Sequence, residues 1–265
     1  MRSEYLKFAE IIAREAGDLL KNELPKDHRI DFKSEIDIVT EVDKMSEDLL
    51  VRRIHQSFPR HYILTEESAG FRGDSDCRWI IDPLDGTTNY AHGYPVFCVS
   101  VALEIAGEVY CGAIYNPMTE EMFTAEKHGG AFLNSQRLKA SKTEELTRSL
   151  LATGFPYDIR ESADNNINYF IGMALRAQAI RRAGSAALDL AYVAAGRFDG
   201  FWELKLRPWD TAAGWLMVTE AGGRVSDLEG NAYDLVSPHI VASNGRIHDK
   251  MVAALCSDAE INLCK

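Results

Sequence analysis

The chain is short of several features that would place it quickly. In its 265 residues no stretch approaches the ~18 uncharged apolar residues of a membrane-spanning helix. The first residues, Met1-Arg2-Ser3-Glu4-Tyr5-Leu6-Lys7, carry charge throughout and lack the apolar core of a secretory signal. Cysteine is sparse: Cys77, Cys98, Cys111, Cys256 and Cys264 make an odd number, and no two form C-x-x-C. That usage fits a reducing compartment better than a disulfide framework, so the expected location is the cytoplasm. Cys98 and Cys111 lie in apolar, strand-like segments and read as small core residues. No cysteine has the electropositive neighbourhood that activates a thiolate. An excess of basic residues is missing too. Lys and Arg number 29 against 40 Asp and Glu, a net charge of −11. A surface built to grip a nucleic-acid backbone is therefore not expected, although Arg52-Arg53 and Arg181-Arg182 are local basic pairs.

The remainder is ordinary for a globular protein, with 46% hydrophobic and 26% charged residues. Tyr5, Phe8, Ile12, Ala16 and Leu19 recur at helical spacing, and Pro25 lies beyond that helix. A second helix is predicted from about Glu41 to Ser57, with Thr40 as N-cap and Asp43 in the first turn. Short apolar runs at His61 to Thr65 and Arg78 to Ile81 read as strands. Val96 to Ile105 and Val109 to Tyr115 flank Ala106-Gly107-Glu108 as a hairpin. Glu121 to Thr124 and Ala131 to Leu133 add short strands, with a turn at Gly129-Gly130. Further on, strands are predicted over Ser149 to Thr153, Phe198 to Leu204 and His239 to Ala242. Helices are predicted over Asn165 to Arg176, Ser185 to Ala195, Trp209 to Ala221 and Asp249 to Leu255. There is no internal repeat, low-complexity tract or long linker. The expected architecture is a mixed, layered α+β fold in two lobes that divide near residues 145–150.

One segment carries chemistry: Trp79-Ile-Ile-Asp82-Pro83-Leu84-Asp85-Gly86-Thr87-Thr88-Asn89-Tyr90. Two carboxylates close an apolar run, a proline restricts the turn between them, and Gly-Thr-Thr follows. Hard divalent cations want clustered carboxylate oxygens, and phosphate wants backbone N–H groups at a helix N-terminus. Taken alone, the same residues also make an ordinary Asx-rich turn. Other acids must join them for a metal site. Glu66, Asp43 and Asp210 each sit at a strand end or a helix start, where ligand crevices form. Individually each has a bland reading: Glu66 as half of a surface acidic pair with Glu67, Asp43 and Asp210 as first-turn aspartates, Lys33 as a solvated lysine. Gathered in one pocket they would repel one another unless cations neutralised them.

At this point the chain resembles the inositol monophosphatase family. Asp82 to Tyr90 looks like its first signature. Trp209-Asp210-Thr211-Ala212-Ala213-Gly214, continued by Thr219-Glu220-Ala221-Gly222-Gly223, looks like its second, about 125 residues on. Asp37-Ile38-Val39-Thr40-Glu41-Val42-Asp43 is similar to its upstream segment, and Arg182 to Phe198 to its mid-domain segment. The likeness runs from about Tyr5 to Leu255. It implies one inositol monophosphatase-like domain over 1–265, an αβαβα sandwich with lobes of about 1–147 and 148–265. It also implies Mg²⁺-dependent hydrolysis of myo-inositol monophosphate by direct attack of a metal-activated water. In that reading Glu66, Asp82, Asp85, Asp210 and the Leu84 carbonyl bind two or three Mg²⁺ ions. Mn²⁺ is a possible substitute, and Li⁺ and Ca²⁺ are inhibitory. Thr87 and Asp43 orient the water, while Gly86 and Thr87 offer N–H groups to phosphate. Gly184, Ser185, Ala186 and Glu203 meet the inositol ring, and Lys33 lies on a loop near the metals. A homodimer is implied as well, with no nucleic-acid or membrane partner. Two departures stand out: Tyr90 where Phe is common, and Thr65 where Gly often precedes the paired glutamates.

Rival readings remain. The D-x-D-G-T phosphatases with a covalent aspartate space their acids two apart, whereas Asp82 and Asp85 are three apart. Within the resembling family, fructose 1,6-bisphosphate, histidinol phosphate and nucleotide 3′-phosphate are alternative substrates. Glu203 favours an inositol monophosphate. A regulatory binding role is the alternative from a different class.

Overall fold

The computed structural model describes residues 2–24, 28–32, 38–68 and 70–258. Helix α1 (Glu4–Glu23) starts where the Ser3 hydroxyl accepts the Leu6 N–H. Its inward stripe is Leu6, Ala9, Ile12, Ala13, Ala16 and Leu20, all buried. Strands β1 (Ile30–Phe32) and β2 (Ile38–Thr40) pair antiparallel. Helix α2 (Glu41–Ser57) follows directly, with a full capping box: Thr40 takes the first-turn N–H groups while Asp43 takes the Thr40 N–H at 2.8 Å.

A seven-stranded sheet comes next, ordered as in the chain. It comprises β3 (Tyr62–Thr65), β4 (Cys77–Asp85), β5 (Cys98–Ile105), β6 (Glu108–Asn116), β7 (Glu121–Glu126), β8 (Gly130–Leu133) and β9 (Gln136–Arg137). All neighbours are antiparallel except β3 and β4. Between β4 and β5 lies the short helix α3 (Thr87–Ala91). The expected hairpin about Ala106-Gly107 is present as β5 and β6. Strand β5 is buried on both faces from Cys98 to Leu103, which is why it reads as a continuous apolar run rather than an alternating one.

The second half builds a five-stranded mixed sheet. Its strands are β10 (Leu150–Thr153), β11 (Ala179–Arg181), β12 (Gly200–Leu204), β13 (Arg224–Ser226) and β14 (His239–Ser243), in the order β11-β10-β12-β14-β13. Helices α4 (Ile167–Ala174) and α7 (His248–Asp258) pack against each other on its outer side, over a core of Leu151, Trp202, Val241 and Met251. Helices α5 (Ala186–Ala194) and α6 (Pro208–Glu220) lie between the two sheets, and α1 and α2 cover the far face of the large one. The stack is α–β–α–β–α, the layered sandwich expected.

Five short strands were not legible in the pattern. Strands β1, β2, β11 and β13 have three residues each and β9 has two, too few for any period to register. Helix α4 is shorter than expected, beginning after Asn166 in a left-handed conformation (φ 71°). Helix α5 does end at Gly196, whose φ of 69° is the left-handed stop anticipated.

Candidate active site

The site is built first by an irregularity in β4. Asp82 faces Ser100 and Asp85 faces Cys98, so three steps along β4 meet two along β5. In a regular strand, residues three apart point to opposite faces. The extra residue of this bulge restores them to one side, and Pro83 sits where no ladder donor is required. The strand therefore runs four residues beyond the Ile81 at which it was expected to stop. Its two acids project together.

Helix α6 brings the third. Asp210 occupies the first turn, where its Oδ2 accepts the Arg207 N–H at 2.6 Å. Asp82, Asp85 and Asp210 each place one carboxylate oxygen within 4.8 Å of the others. Each of the three is held by a backbone or hydroxyl donor on one oxygen. Asp82 Oδ1 takes the Leu84 N–H at 3.0 Å. Asp85 Oδ2 takes the Ser185 hydroxyl at 2.6 Å and the Ala187 N–H at 2.8 Å. Three carboxylates so held, with one oxygen of each brought close together, fit hard divalent cations. Glu66 lines the same cleft without belonging to the close trio.

Helix α2 supports this cluster with one face. Asp43, Ser46 and Glu47, at helical spacing, are all buried. Asp43 Oδ1 accepts the Thr87 hydroxyl at 2.9 Å, and the Leu84 carbonyl lies 3.1 Å from the same hydroxyl. Ser46 donates to the Pro83 carbonyl at 2.8 Å, pinning the bulge. Glu47 accepts the Thr65 hydroxyl at 2.5 Å and the Glu67 N–H at 3.0 Å, so it grips Glu66 from both sides. This gives Thr65 a purpose. The Tyr90 hydroxyl likewise finds a partner, the Leu20 carbonyl at 2.9 Å, so both departures are accommodated.

After Asp85 the chain turns at Gly86 (φ 100°), where a Cβ would meet the Val96 carbonyl oxygen at 3.0 Å and that of Gly184 at 3.2 Å. Asn89 clamps the two segments by donating to the Val96 and Ala183 carbonyls at 2.7 and 2.8 Å. Gly184, Ser185 and Ala186 thus stand beside the Asp82–Gly86 turn, in one cleft of about 820 Å³ with Glu66, Thr87, Glu203 and Asp210. The Ser185 hydroxyl is spent on Asp85. Trp209 packs on the core of the middle layer, as expected. Lys33 lies outside the described residues.

The electrostatics match the geometry. Burial, then Glu66, Asp85 and Asp210, push the Asp82 carboxyl well up from its ordinary value. Burial, then Glu66 and Asp85, do the same to Asp210. Asp85 is raised by burial, with the Ser185 hydroxyl pulling back. Burial and Asp85 carry Glu203 to about 8. Acids that resist ionisation side by side are ionised together once cations are present. Three residues of this arrangement were missed in the sequence: Ser46, Glu47 and the buried Asp189. The first two were legible in principle as polar residues on the inward face of α2.

Comparison with known proteins agrees with this geometry. The sequence matches the inositol monophosphatase family over residues 1–260. It is 47% identical over 251 residues to Nus factor SuhB of Escherichia coli (strain K12), covering 94% of each chain. It is 46% identical over 222 residues to the inositol-1-monophosphatase of a Synechocystis species, covering 83% of this chain and 77% of that one. The fold superposes on the solved inositol monophosphatase of an Anabaena species with a TM-score of 0.88 at 43% identity, covering 96% and 95% of the two chains. An acid cluster set by a β-bulge, with both signature segments in one cleft, is thus shared ancestry rather than chance, and the chain belongs to the inositol monophosphatase family.

Proposed function

We propose that the chain is a Mg²⁺-dependent phosphomonoesterase that hydrolyses myo-inositol monophosphate to inositol and phosphate. The observation that carries this reading is the trio Asp82, Asp85 and Asp210, its oxygens within 4.8 Å, at the wall of a cleft that also holds Glu203. With Glu66 and the Leu84 carbonyl, these residues hold the cations. Bound there, divalent ions neutralise the acids, activate water and draw charge from the leaving oxygen. The protein's own part is positional. Thr87 Oγ1, its proton given to Asp43 Oδ1, accepts from the attacking water and passes that proton inward. The N–H groups of Gly86 and Thr87 hold phosphate oxygens, because first-turn amides lack partners within the helix. The new P–O bond forms to the water oxygen as the ester P–O bond breaks, and the freed alkoxide takes its proton from solvent. Gly184, Ser185 and Ala186 offer backbone to the polyol, and Glu203 takes its hydroxyls.

Two supporting residues give predictions here. Glu47→Ala releases the grip on Glu66, so the Mg²⁺ needed for half-maximal activity is expected to rise about 10–100-fold. Activity measured against Mg²⁺ concentration checks this, and an unchanged midpoint excludes the role. Gly154 abuts Glu203 so closely that a Cβ would overlap its carboxylate. The strand cannot yield, because Asn166 donates to the Gly154 carbonyl at 2.5 Å and to Thr153 Oγ1 at 2.8 Å. Gly154→Ala is therefore expected to displace Glu203 and raise KM for inositol 1-phosphate by about tenfold or more, a size typical of losing one positioned hydrogen-bonding group.

The substrate assignment is tested by a panel compared as kcat/KM: inositol 1-phosphate, fructose 1,6-bisphosphate, histidinol phosphate and 3′-phosphoadenosine 5′-phosphate. Inositol 1-phosphate is expected to lead. If fructose bisphosphate leads, the substrate is reassigned and the metal chemistry stands. Lithium inhibition belongs to the same reading. So does a homodimer, for which light scattering should return twice the chain mass. No helix among the described residues is long and apolar enough to cross a membrane. A cytoplasmic enzyme is the accompanying proposal.

The relative named Nus factor SuhB favours a second reading, a regulatory role of the kind that name denotes. Asp210→Asn separates the two: a cellular phenotype that survives loss of phosphatase activity belongs to binding.

A further inference from the structure

Among the described residues, four buried side-chain polar atoms lack a hydrogen-bond partner: Arg53 Nε, Arg78 Nε, Thr124 Oγ1 and Asp189 Oδ1. The two arginines are ion-paired with Glu15 and Glu104. Thr124 lies in the large sheet. Asp189 is different, because it is only 1% exposed and yet lines the cleft beside Glu203. Its own N–H is spent on the Ser185 carbonyl at 3.0 Å, one turn into α5 from the residue that holds Asp85.

A buried carboxyl oxygen without a partner is destabilising, and an apolar side chain of similar shape would cost less there. Such a group in a cleft calls for a ligand. We propose that Asp189 is a specificity-determining residue that, with Glu203, reads neighbouring free hydroxyls of the polyol on the side away from its phosphate. This rests on the substrate reading above. The surroundings select the class of group. Burial, then Glu203 and Asp85, hold Asp189 toward its neutral form, with Arg182 pulling weakly the other way. A neutral carboxyl both donates and accepts, which complements a hydroxyl. A second phosphate or a carboxylate beside Asp189 would meet the two acids Glu203 and Asp85 against the single cation Arg182, so a neutral hydroxyl is favoured. The α5 helix then has two duties on one turn: Ser185 fixes a metal-binding acid, and Asp189 meets the polyol.

The test compares Asp189→Leu, Asp189→Asn and the parent on inositol 1-phosphate and on p-nitrophenyl phosphate, which has no hydroxyl to read. The kcat/KM ratio of the first substrate over the second is expected to fall about tenfold or more in Asp189→Leu. Asp189→Asn, which keeps a donor and an acceptor, is expected to recover most of that ratio. The thermal midpoint of Asp189→Leu is expected to equal or exceed the parent's, which a structural role would not allow. Activities that fall together on both substrates, or a ratio that does not move, overturn the inference. A parent enzyme with no preference for inositol 1-phosphate over p-nitrophenyl phosphate refutes the substrate reading itself, and this role with it.

Discussion

Asp82→Asn is expected to lower Mg²⁺-supported kcat/KM for inositol 1-phosphate by about 10³-fold or more, and to leave the metal-free protein at least as stable as its parent. The magnitude follows from cation electrostatics. Charge stabilisation by a bound metal is worth several kcal/mol, and each ~1.4 kcal/mol is tenfold in rate. In the proposed reading Asp82 is central to that term, being 1% exposed, held by the Leu84 N–H and clustered with Asp85 and Asp210. An asparagine keeps the shape and can keep the Leu84 bond, but it brings no charge. Stability moves the other way, because Asp82 is crowded by Glu66, Asp85 and Asp210. Removing one of several like charges relieves the rest. Steady-state kinetics and calorimetry in chelator read the two effects separately. A variant that loses activity and also melts several degrees lower in chelator would make Asp82 a structural residue.

The second large effect is on stability against pH. In chelator, the thermal midpoint is expected to fall as pH rises from about 6.5 to about 8, and Mg²⁺ is expected to flatten that fall. Glu203 has an ordinary value of 4.5 and stands at about 8 in the fold. Between those values the folded chain binds more protons than the unfolded one, so stability declines as pH increases. Asp82 and Asp210 are shifted in the same direction by burial and by Glu66. His248, held down to about 4 by burial, acts oppositely, but only below its ordinary 6.5. Above that pH the acids decide the sign. Cations replace protons in the cluster, so the stabilisation by Mg²⁺ is largest at the alkaline end and its binding releases protons. Melting curves at several pH values, with and without Mg²⁺, measure this. A midpoint in chelator that climbs across the window contradicts it.

The elements that position the site were legible to different degrees. Thr40 and Asp43 announced the start of α2, because a capping box is local chemistry written in adjacent residues. Buried β5 was legible as an unbroken apolar run. The bulge was not: Pro83 hinted at an irregularity, but only the pairing with Ser100 and Cys98 shows that Asp82 and Asp85 share a side. Asp210 joins them across a long stretch of chain, a meeting that no periodicity encodes and that only the family resemblance anticipated. Asp189 was hidden for a different reason. In an alanine-rich helix one acid reads as a solvated residue, and its burial depends on how α5 lies between the two sheets. Gly154 had no sequence signal, and its place against Glu203 becomes visible only once β10 and β12 pair.

In the proposed reading, the clustered acids make this fold a cation-dependent phosphatase. The most direct measurement is phosphate release from inositol 1-phosphate by metal-stripped protein during titration with Mg²⁺. No release is expected in chelator, with a saturable rise as Mg²⁺ is added and no such rise in Asp82→Asn. Full activity in chelator, indifferent to added Mg²⁺, would contradict it.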